Sequence, residues 1–402
     1  MEYHLMNKDV PCLALDTEDY SFSVLNNDLL PYPLKDFVRS TGEKDLKGSV
    51  RDNSVLRDYL AARTLNLSRE NAKIILNVAA LPQSLAIEQK LKIVIACSGL
   101  SMQDNIWLKK PDDDRSFTDV CLRRNPLSEA SYQIAILGKH VSATIDELKP
   151  DLTTEGLFPK FWRRLGDDVE LWKTDRMPDN NNSKCEVLSS RILDLLDAEH
   201  IRYRGEMIDA RFFSVCRCLA DDDVSFVPIQ DIMDWQEHIG GRFADYINNT
   251  YETAFADMVV FDYIAANTDR HSGNWGVLTD SSNCIIGMAP LFDHNQAFIA
   301  DCFGTDINDL IYEPTGLSFM DSIKEYAPKS GLDIQKALDS ELLTEGARNR
   351  LALVAEIIGK DQTKTSLSQA RTVEELLQIA TANVSVSAPT GSTKKEPWQV
   401  ER

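Results

Sequence analysis

Long apolar runs are missing from this chain of 402 residues. No stretch approaches the roughly 20 apolar residues that a membrane-spanning helix needs. The first residues, Met1-Glu2-Tyr3-His4, also lack the basic and then apolar pattern of a signal peptide. We therefore expect a cytoplasmic protein with no membrane-spanning segment.

Cysteine motifs are missing as well. The eight cysteines include no Cys-x-x-Cys pair, and the tightest cluster is Cys216-Arg217-Cys218. This pattern argues against a structural zinc site and against a disulfide framework. Free thiols in a reducing cytosol are the simpler interpretation.

Basic residues are too few to balance the acidic ones. The chain has 63 acidic and 43 basic residues, and its formal net charge is −20. Extended contact with nucleic acid needs clustered positive charge, and so does adsorption to anionic membranes. The charge balance therefore argues against both kinds of partner.

The sequence is long enough for several packed units, and 43% of its residues are apolar. Strand-like and helical patterns alternate up to about residue 230, and helical patterns dominate after Trp235. The last residues are rich in Ser, Thr, Pro and Lys, which is typical of a disordered tail. We predict an accessory region (1–150), a strand-rich unit with one helix (151–234), a helical unit (235–380) and a disordered tail (381–402).

Residues 1–110 carry no recognisable chemistry. Within them, Ser68-Arg69-Glu70-Asn71 precedes an apolar run and resembles the start of a helix. We interpret this first third as an accessory or docking region.

The most informative motif is the stretch Asn267–Asn274, Asn-Thr-Asp-Arg-His-Ser-Gly-Asn, which follows an apolar helical pattern. Asn274 lies five residues after Asp269, and Asp293 follows 19 residues later in Ala-Pro-Leu-Phe-Asp. Phosphoryl transfer from ATP needs a carboxylate that orients a hydroxyl and oxygen ligands that hold magnesium. Protein kinases use the same Asp-to-Asn spacing in their catalytic loop.

These residue types predict distinct roles. Asp269 would orient the attacking hydroxyl, and Asn274 and Asp293 would bind Mg²⁺. Asn267, Arg270 and His271 are interpreted as residues that brace the loop. The alternative is that Asn267 and Asp269 only end a helix and that Asn274 fills a turn, because Asn and Asp favour such places.

A kinase also needs a cation on the ATP phosphates. Lys173 ends a strand-like stretch with alternating apolar residues, and Glu186 lies on the next helix, where it can pair with that lysine. The alternative for both residues is ordinary surface charge.

Upstream of Lys173, residues 152–160 form the one candidate for a loop that covers the phosphates. The candidate contacts are Thr153, Thr154, Gly156 and Lys160, together with backbone amides. The loop has a single glycine and does not match Gly-x-Gly-x-x-Gly, so a simple connecting loop is the alternative.

Together, the Asn267–Asn274 loop, the Phe-Asp at Asp293, Leu-Trp-Lys at Lys173 and Glu186 resemble the HipA-like serine/threonine kinases of bacterial toxin–antitoxin systems. The resemblance covers about residues 150–370. It implies an α+β, two-lobed, protein-kinase-like fold with a mainly helical C-terminal lobe and ATP between the lobes. It also implies the cofactors ATP and Mg²⁺, a protein substrate, and an antitoxin or regulatory protein as partner.

The sequence departs from this family at two places. His294 follows Asp293 where ordinary protein kinases have Phe-Gly, and threonines at 153 and 154 replace the serine-containing loop of the toxins.

Two rival functions remain open. Phosphoinositide kinases also use an Asp-Arg-His-x-x-Asn loop followed by an Asp, so a lipid or small-molecule kinase is the first alternative. A pseudokinase that binds nucleotide as a scaffold is the second.

Overall fold

A computed structural model describes residues 1–35, 53–84, 86–177, 180–338, 340–359, 371–382 and 385–386. The fold mixes small, mainly antiparallel sheets with many helices. Across these ranges, no helix is both long and apolar enough to cross a lipid bilayer. All eight cysteines are free thiols.

The first sheet has the strand order β3-β2-β1-β4. Its strands are β1 (Glu2–Asn7), β2 (Val10–Asp16), β3 (Phe22–Val24) and β4 (Ile106–Lys109). Leu5 and Met6 are both buried, but they join different hydrophobic clusters because successive side chains of a strand point to opposite faces. The helices of this region are α1 (Asn53–Ala62), α2 (Ala72–Val78), α3 (Ile87–Ala96), α4 (Phe117–Val120) and α5 (Ile145–Leu152).

The second sheet carries one edge of the candidate site, and its strand order is β14-β7-β8-β6-β5. Its strands are β5 (Lys160–Leu165), β6 (Asp168–Thr174), β7 (Arg204–Ile208), β8 (Arg211–Arg217) and β14 (Ser385–Val386). The predicted strand at Lys173 is therefore present as β6. Helix α6 (Asn182–Leu195) follows β6 and packs against β8.

Helices dominate the chain after β9 (Ser225–Pro228). They are α7 (Ile229–His238), α8 (Phe243–Thr250), α9 (Glu252–Ile264), α10 (Ile299–Cys302), α11 (Phe319–Tyr326), α12 (Ile334–Leu338), α13 (Glu345–Ile357) and α14 (Val373–Thr381). Helix α9 is apolar around most of its circumference, and its residues from Met258 to Ile264 are all buried. A helix that is apolar on all sides belongs in a core, and α9 lies at the centre of the largest one.

Two hairpins flank the end of α9. Strands β10 (Gly276–Thr279) and β11 (Ile285–Met288) form a sheet with β9. Gly276 is required there, because an added Cβ would lie 2.1 Å from the carbonyl oxygen of Val227. The second hairpin pairs β12 (Ile311–Tyr312) with β13 (Leu317–Ser318).

The N-terminal region packs against both of the other parts. Trp107 of β4 shares a hydrophobic cluster with Trp162 and Val169 of the second sheet. Tyr32 joins the helical core, where its ring meets that of Trp235 edge-on at 5.1 Å.

Of the segment predicted as a disordered tail, 381–402, the structure describes four residues. Thr381 ends α14, Ala382 follows it, and Ser385–Val386 form strand β14, which pairs in parallel with β7. The remainder of the predicted tail lies outside the described residues.

Candidate active site

Asp262 anchors the loop that follows α9. This carboxylate is fully buried, and it accepts hydrogen bonds from Asn267 Nδ2 at 2.8 Å and from Tyr312 Oη at 2.6 Å. Arg270 also binds this carboxylate: its Nε donates to Asp262 Oδ2 at 2.8 Å, and its Nη2 donates to Asp262 Oδ1 at 3.0 Å. Burial alone would lower the pKa of Arg270, but the charge of Asp262 outweighs it and holds that pKa above its usual value. The predicted bracing residues Asn267 and Arg270 thus fix the loop to the end of α9.

The other edge of Arg270 joins two distant segments. Its Nη1 donates to the carbonyl oxygen of Asn274 at 2.5 Å and to that of Phe292 at 2.8 Å. Within the loop, Asn274 Nδ2 donates to the carbonyl oxygen of Asp269 at 3.0 Å. Because Asp293 follows Phe292 directly, one buried guanidinium brings together the segments that carry Asp269, Asn274 and Asp293.

Asp269 and His271 both lie at the surface of this loop. Desolvation raises the pKa of the Asp269 carboxyl. His271 lowers this pKa in part, and the negative charge of Asp293 raises it further. His271 Nδ1 accepts the backbone N–H of Gly273 at 3.1 Å. An exposed carboxylate on a braced loop is accessible to a substrate hydroxyl.

Lys173 links the second sheet to the Asp293 segment. Its Nζ donates to Glu186 Oε1 at 2.6 Å and to Asp293 Oδ1 at 2.8 Å. The other carboxylate oxygen of Glu186, Oε2, accepts a hydrogen bond from Ser214 Oγ at 2.5 Å. Burial opposes the charge on Lys173, but the two carboxylates outweigh it and hold the pKa of Lys173 above its ordinary value. The structure therefore brings the predicted residues Lys173, Glu186 and Asp293 into one ion cluster.

Asp293 keeps one oxygen available. Its Oδ1 accepts both Lys173 Nζ and Asn295 Nδ2, the latter at 2.8 Å. Within the described part of the chain, no group donates a hydrogen bond to Oδ2, and 23% of the side chain is exposed. Asp293 also has a φ of 59°, a left-handed backbone conformation that Asp adopts more readily than most residues. Such uncommon conformations cluster at functional sites.

Asn274 and Asp293 are the residues that suit a magnesium ion. Among the residues that the structure describes, no group of three or more His, Cys, Asp and Glu side chains is placed to hold a metal. One carboxylate and one amide oxygen form a sparse ligand set, and Mg²⁺ commonly binds in this way because it keeps waters and takes phosphate oxygens. The donor set therefore fits magnesium bound together with a nucleotide.

His294 is buried with 1% exposure, and its ring meets that of Phe261 edge-on at 4.9 Å. Burial and the charge of Arg270 hold the pKa of His294 well below its usual value. His294, which follows Asp293 directly, is therefore a neutral residue that packs in the core.

The loop between α5 and β5 contains a run of backbone donors. The N–H groups of residues 154–158 donate to no acceptor among the described residues. The two threonine hydroxyls, by contrast, already donate hydrogen bonds. Thr153 Oγ1 donates to the carbonyl oxygen of Lys149 at 2.8 Å, and Thr154 Oγ1 donates to that of Pro150 at 2.6 Å. Consecutive free N–H groups are typical of anion-binding loops. The backbone N–H groups of this loop are thus freer to bind an anion than its threonine hydroxyls are.

Lys160 lies at the end of the same loop. Its Nζ donates to the carbonyl oxygen of Glu155 at 2.7 Å, and the side chain is 8% exposed. Gly156 has a φ of 94°, a backbone conformation that residues with a Cβ rarely adopt, so the loop favours glycine at this position. Burial, followed by the charges of Lys173 and Arg69, lowers the pKa of Lys160 to about 7.

Four residues of this site were not predicted from the sequence: Asp262, Tyr312, Ser214 and Asn295. Asp262 had a usable signal, since a carboxylate inside an otherwise apolar helix is rarely buried without a partner. Ser214 and Asn295 gave no signal, because their contacts with Glu186 and Asp293 exist only in the folded chain.

No protein-family model and no curated protein matches the chain. Among solved structures, a proinflammatory kinase of Helicobacter pylori, CtkA, aligns with 50% of this chain and 90% of its own at 16% identity. Its TM-score of 0.34 is too low to indicate a shared fold. The HipA toxin of Shewanella oneidensis MR-1, solved with HipB and its operator DNA, aligns with 94% of this chain and 95% of its own. The TM-score is 0.51 at 12% identity, so the likeness concerns the fold alone: this chain is structurally similar to HipA.

Proposed function

We propose that this protein is an ATP- and Mg²⁺-dependent kinase of HipA-like type that phosphorylates serine or threonine in a protein substrate. The observation that carries the proposal is the bridge made by Lys173, whose Nζ contacts Glu186 at 2.6 Å and Asp293 at 2.8 Å. A strand lysine paired with a helix glutamate and placed beside a metal-binding aspartate is the arrangement that protein kinases require. The proposal includes two lobes, residues 151–234 and 235–380, with ATP between them.

We assign a separate role to each group of residues in the site. Lys173, Lys160 and the free N–H groups of residues 154–158 would contact the phosphates. Asn274 and Asp293 would hold Mg²⁺, which neutralises phosphate charge when bound. Asp269 would orient the substrate hydroxyl. Catalysis of this kind depends mainly on positioning and on charge stabilisation.

A regulatory protein partner is part of the proposal. Its support is the structural likeness to a HipA that was solved with HipB and operator DNA. The net charge of −20 favours contact with DNA through such a partner over direct contact. We place this activity in the cytoplasm, in keeping with eight free cysteines.

The test compares the purified protein with its Asp269→Ala variant. Each is incubated with radiolabelled ATP, Mg²⁺ and a cell lysate, and labelled proteins are separated from labelled lipids and small molecules. We expect label on serine or threonine of protein with the wild type alone, located by phosphopeptide mass spectrometry. Label confined to lipids or small molecules would indicate a lipid or small-molecule kinase. ATP binding without any transfer would indicate a pseudokinase.

A further inference from the structure

Arg69 lies in the N-terminal region, far in sequence from the candidate site, yet it reaches the loop of residues 153–160. The side chain is buried with 2% exposure. Its Nη1 donates to the carbonyl oxygens of Asp151 at 3.2 Å and Thr154 at 3.5 Å. Its Nη2 contacts Asp151 Oδ1 at 3.3 Å and the carbonyl oxygen of Lys160. One guanidinium therefore holds both ends of the loop.

A second arginine holds the middle of the loop to the same segment. Arg176 Nη2 donates to the carbonyl oxygen of Leu157 at 3.0 Å and to that of Ser68 at 3.1 Å. Arg176 follows strand β6, which carries Lys173, by two residues. The Ser68–Arg69 segment is thus connected to the beginning, the middle and the end of the loop.

These contacts fix the direction of the free N–H groups. The C=O and N–H of a trans peptide point in opposite directions in one plane. Holding the carbonyls of Thr154 and Leu157 against the arginines therefore turns the N–H groups of Glu155 and Phe158 away from them. Both N–H groups belong to the run with no acceptor among the described residues.

We propose that Arg69 is a positioning residue, which arranges the loop of residues 153–160 for the phosphates of ATP without touching the nucleotide. This inference rests on the proposed function and deepens it, because it couples the N-terminal region to nucleotide affinity. Arginine suits the task, since its planar fork of donors reaches several carbonyl oxygens at once, whereas lysine offers one compact ammonium group.

The test uses the full chain and two probes, MgATP and adenosine, titrated calorimetrically into the wild type, Arg69→Gln and Arg69→Lys. Adenosine lacks the phosphates, so a loop-positioning role affects MgATP alone. We expect Arg69→Gln to weaken MgATP about tenfold or more, as loss of a supporting contact commonly does, and to leave adenosine unchanged. Arg69→Lys keeps the charge but loses the fork, and we expect it to weaken MgATP to an intermediate degree.

Arg123→Gln is the matched control. Arg123 is buried with 6% exposure, and its Nη1 donates to the carbonyl oxygens of Met102 at 3.0 Å and Asp104 at 2.9 Å, away from the loop. We expect this variant to lose thermal stability while the ratio of MgATP affinity to adenosine affinity stays at the wild-type value. An unchanged ratio in both Arg69 variants, or the same fall in ratio in Arg123→Gln, would overturn the inference and leave the kinase proposal standing. Failure of the wild type to bind MgATP would overturn the proposed function itself.

Discussion

Lys160 and Lys173 lie directly opposite each other on β5 and β6, so two basic side chains share one face of the second sheet. Like charges in directly opposed positions destabilise a sheet. Lys173 is balanced by Glu186 and Asp293, whereas Lys160 Nζ contacts a backbone carbonyl oxygen. An anion beside Lys160 would remove the imbalance, and the ATP phosphates are the anions that the proposed function supplies.

The affinity for ATP should therefore depend on the protonation of Lys160. Its pKa is lowered to about 7, while Asp293 and Glu186 partly oppose that lowering. Below pH 7 Lys160 already carries the proton that the phosphates favour. Above pH 7 the free protein has lost it and must take it up again on binding, so affinity should fall by up to about tenfold per pH unit.

Calorimetric titration of MgATP between about pH 7.5 and 9 measures this slope, since ATP itself is fully ionised there. Lys160→Met should flatten it. Lys149→Met is the matched control, because Lys149 is equally buried but pairs with Asp146 at 2.7 Å. A slope that persists in Lys160→Met would assign the proton to another group.

Lys173→Met should abolish productive use of ATP and also destabilise the protein. The substitution keeps the apolar stem, removes the charge, and leaves Glu186 and Asp293 without their shared cation. Breaking a buried ion pair in this way costs about 3–5 kcal/mol. Urea unfolding measures the loss of stability, and phosphorylation assays measure the loss of activity.

The double variant Lys173→Met with Glu186→Gln separates the two effects. It should recover part of the stability, because one uncompensated carboxylate is gone, but no activity. Wild-type ATP affinity and turnover in Lys173→Met would show that another cation meets the phosphates.

The two aspartates should differ in what they do to ATP binding. Asp293→Ala should remove most of the magnesium-dependent part of the affinity, because a metal ligand acts in the ground state. Asp269→Asn should bind MgATP like the wild type and lose about 10²–10⁴-fold in transfer, because its carboxylate acts on the reacting hydroxyl. Titration of ATP with Mg²⁺ and with EDTA, together with a transfer assay, distinguishes the two. The reverse pattern would exchange the assigned roles.

Arg270→Met should destabilise the protein by about 3–5 kcal/mol, since it leaves the fully buried Asp262 without its cation. The matched control is Arg202→Met. Arg202 is 80% exposed and pairs with Asp194 at 3.0 Å, and exposed pairs contribute about 0–1 kcal/mol. Denaturant unfolding of both variants gives the comparison. Equal, small losses would mean that the Asp262 cluster contributes little to the stability of the loop.

Local signals made part of this site predictable from the sequence. The apolar pattern of α9 and the alternation of β6 placed the motif residues on the correct kinds of element, because both patterns depend on near neighbours in the chain. The strand at Lys173 and the helix that carries Glu186 are both present. Neither pattern, however, states which elements meet in space.

The contacts that complete the site join residues far apart in the sequence, and for that reason they could not be predicted from local patterns. Residues 1–110 showed no recognisable chemistry, yet Arg69 bonds to the carbonyls of Thr154 and Lys160. The threonine hydroxyls at 153 and 154 were predicted to meet phosphate, but the last turn of α5 takes both of them. Hydroxyls that follow a helix commonly bond back to its carbonyls, and the sequence analysis predicted no helix that ends there.

The sharing of cores between the N-terminal region and the rest of the chain constrains how such a protein can evolve. In a shortened chain that began at residue 151, Trp162 and Val169 would be exposed to water, and Trp235 would lose its contact with the ring of Tyr32. Contiguous exposed apolar surface of this kind promotes aggregation. Gene fusion or domain shuffling that moved residues 151 onward alone would expose this surface, so we expect the N-terminal region to be inherited together with them.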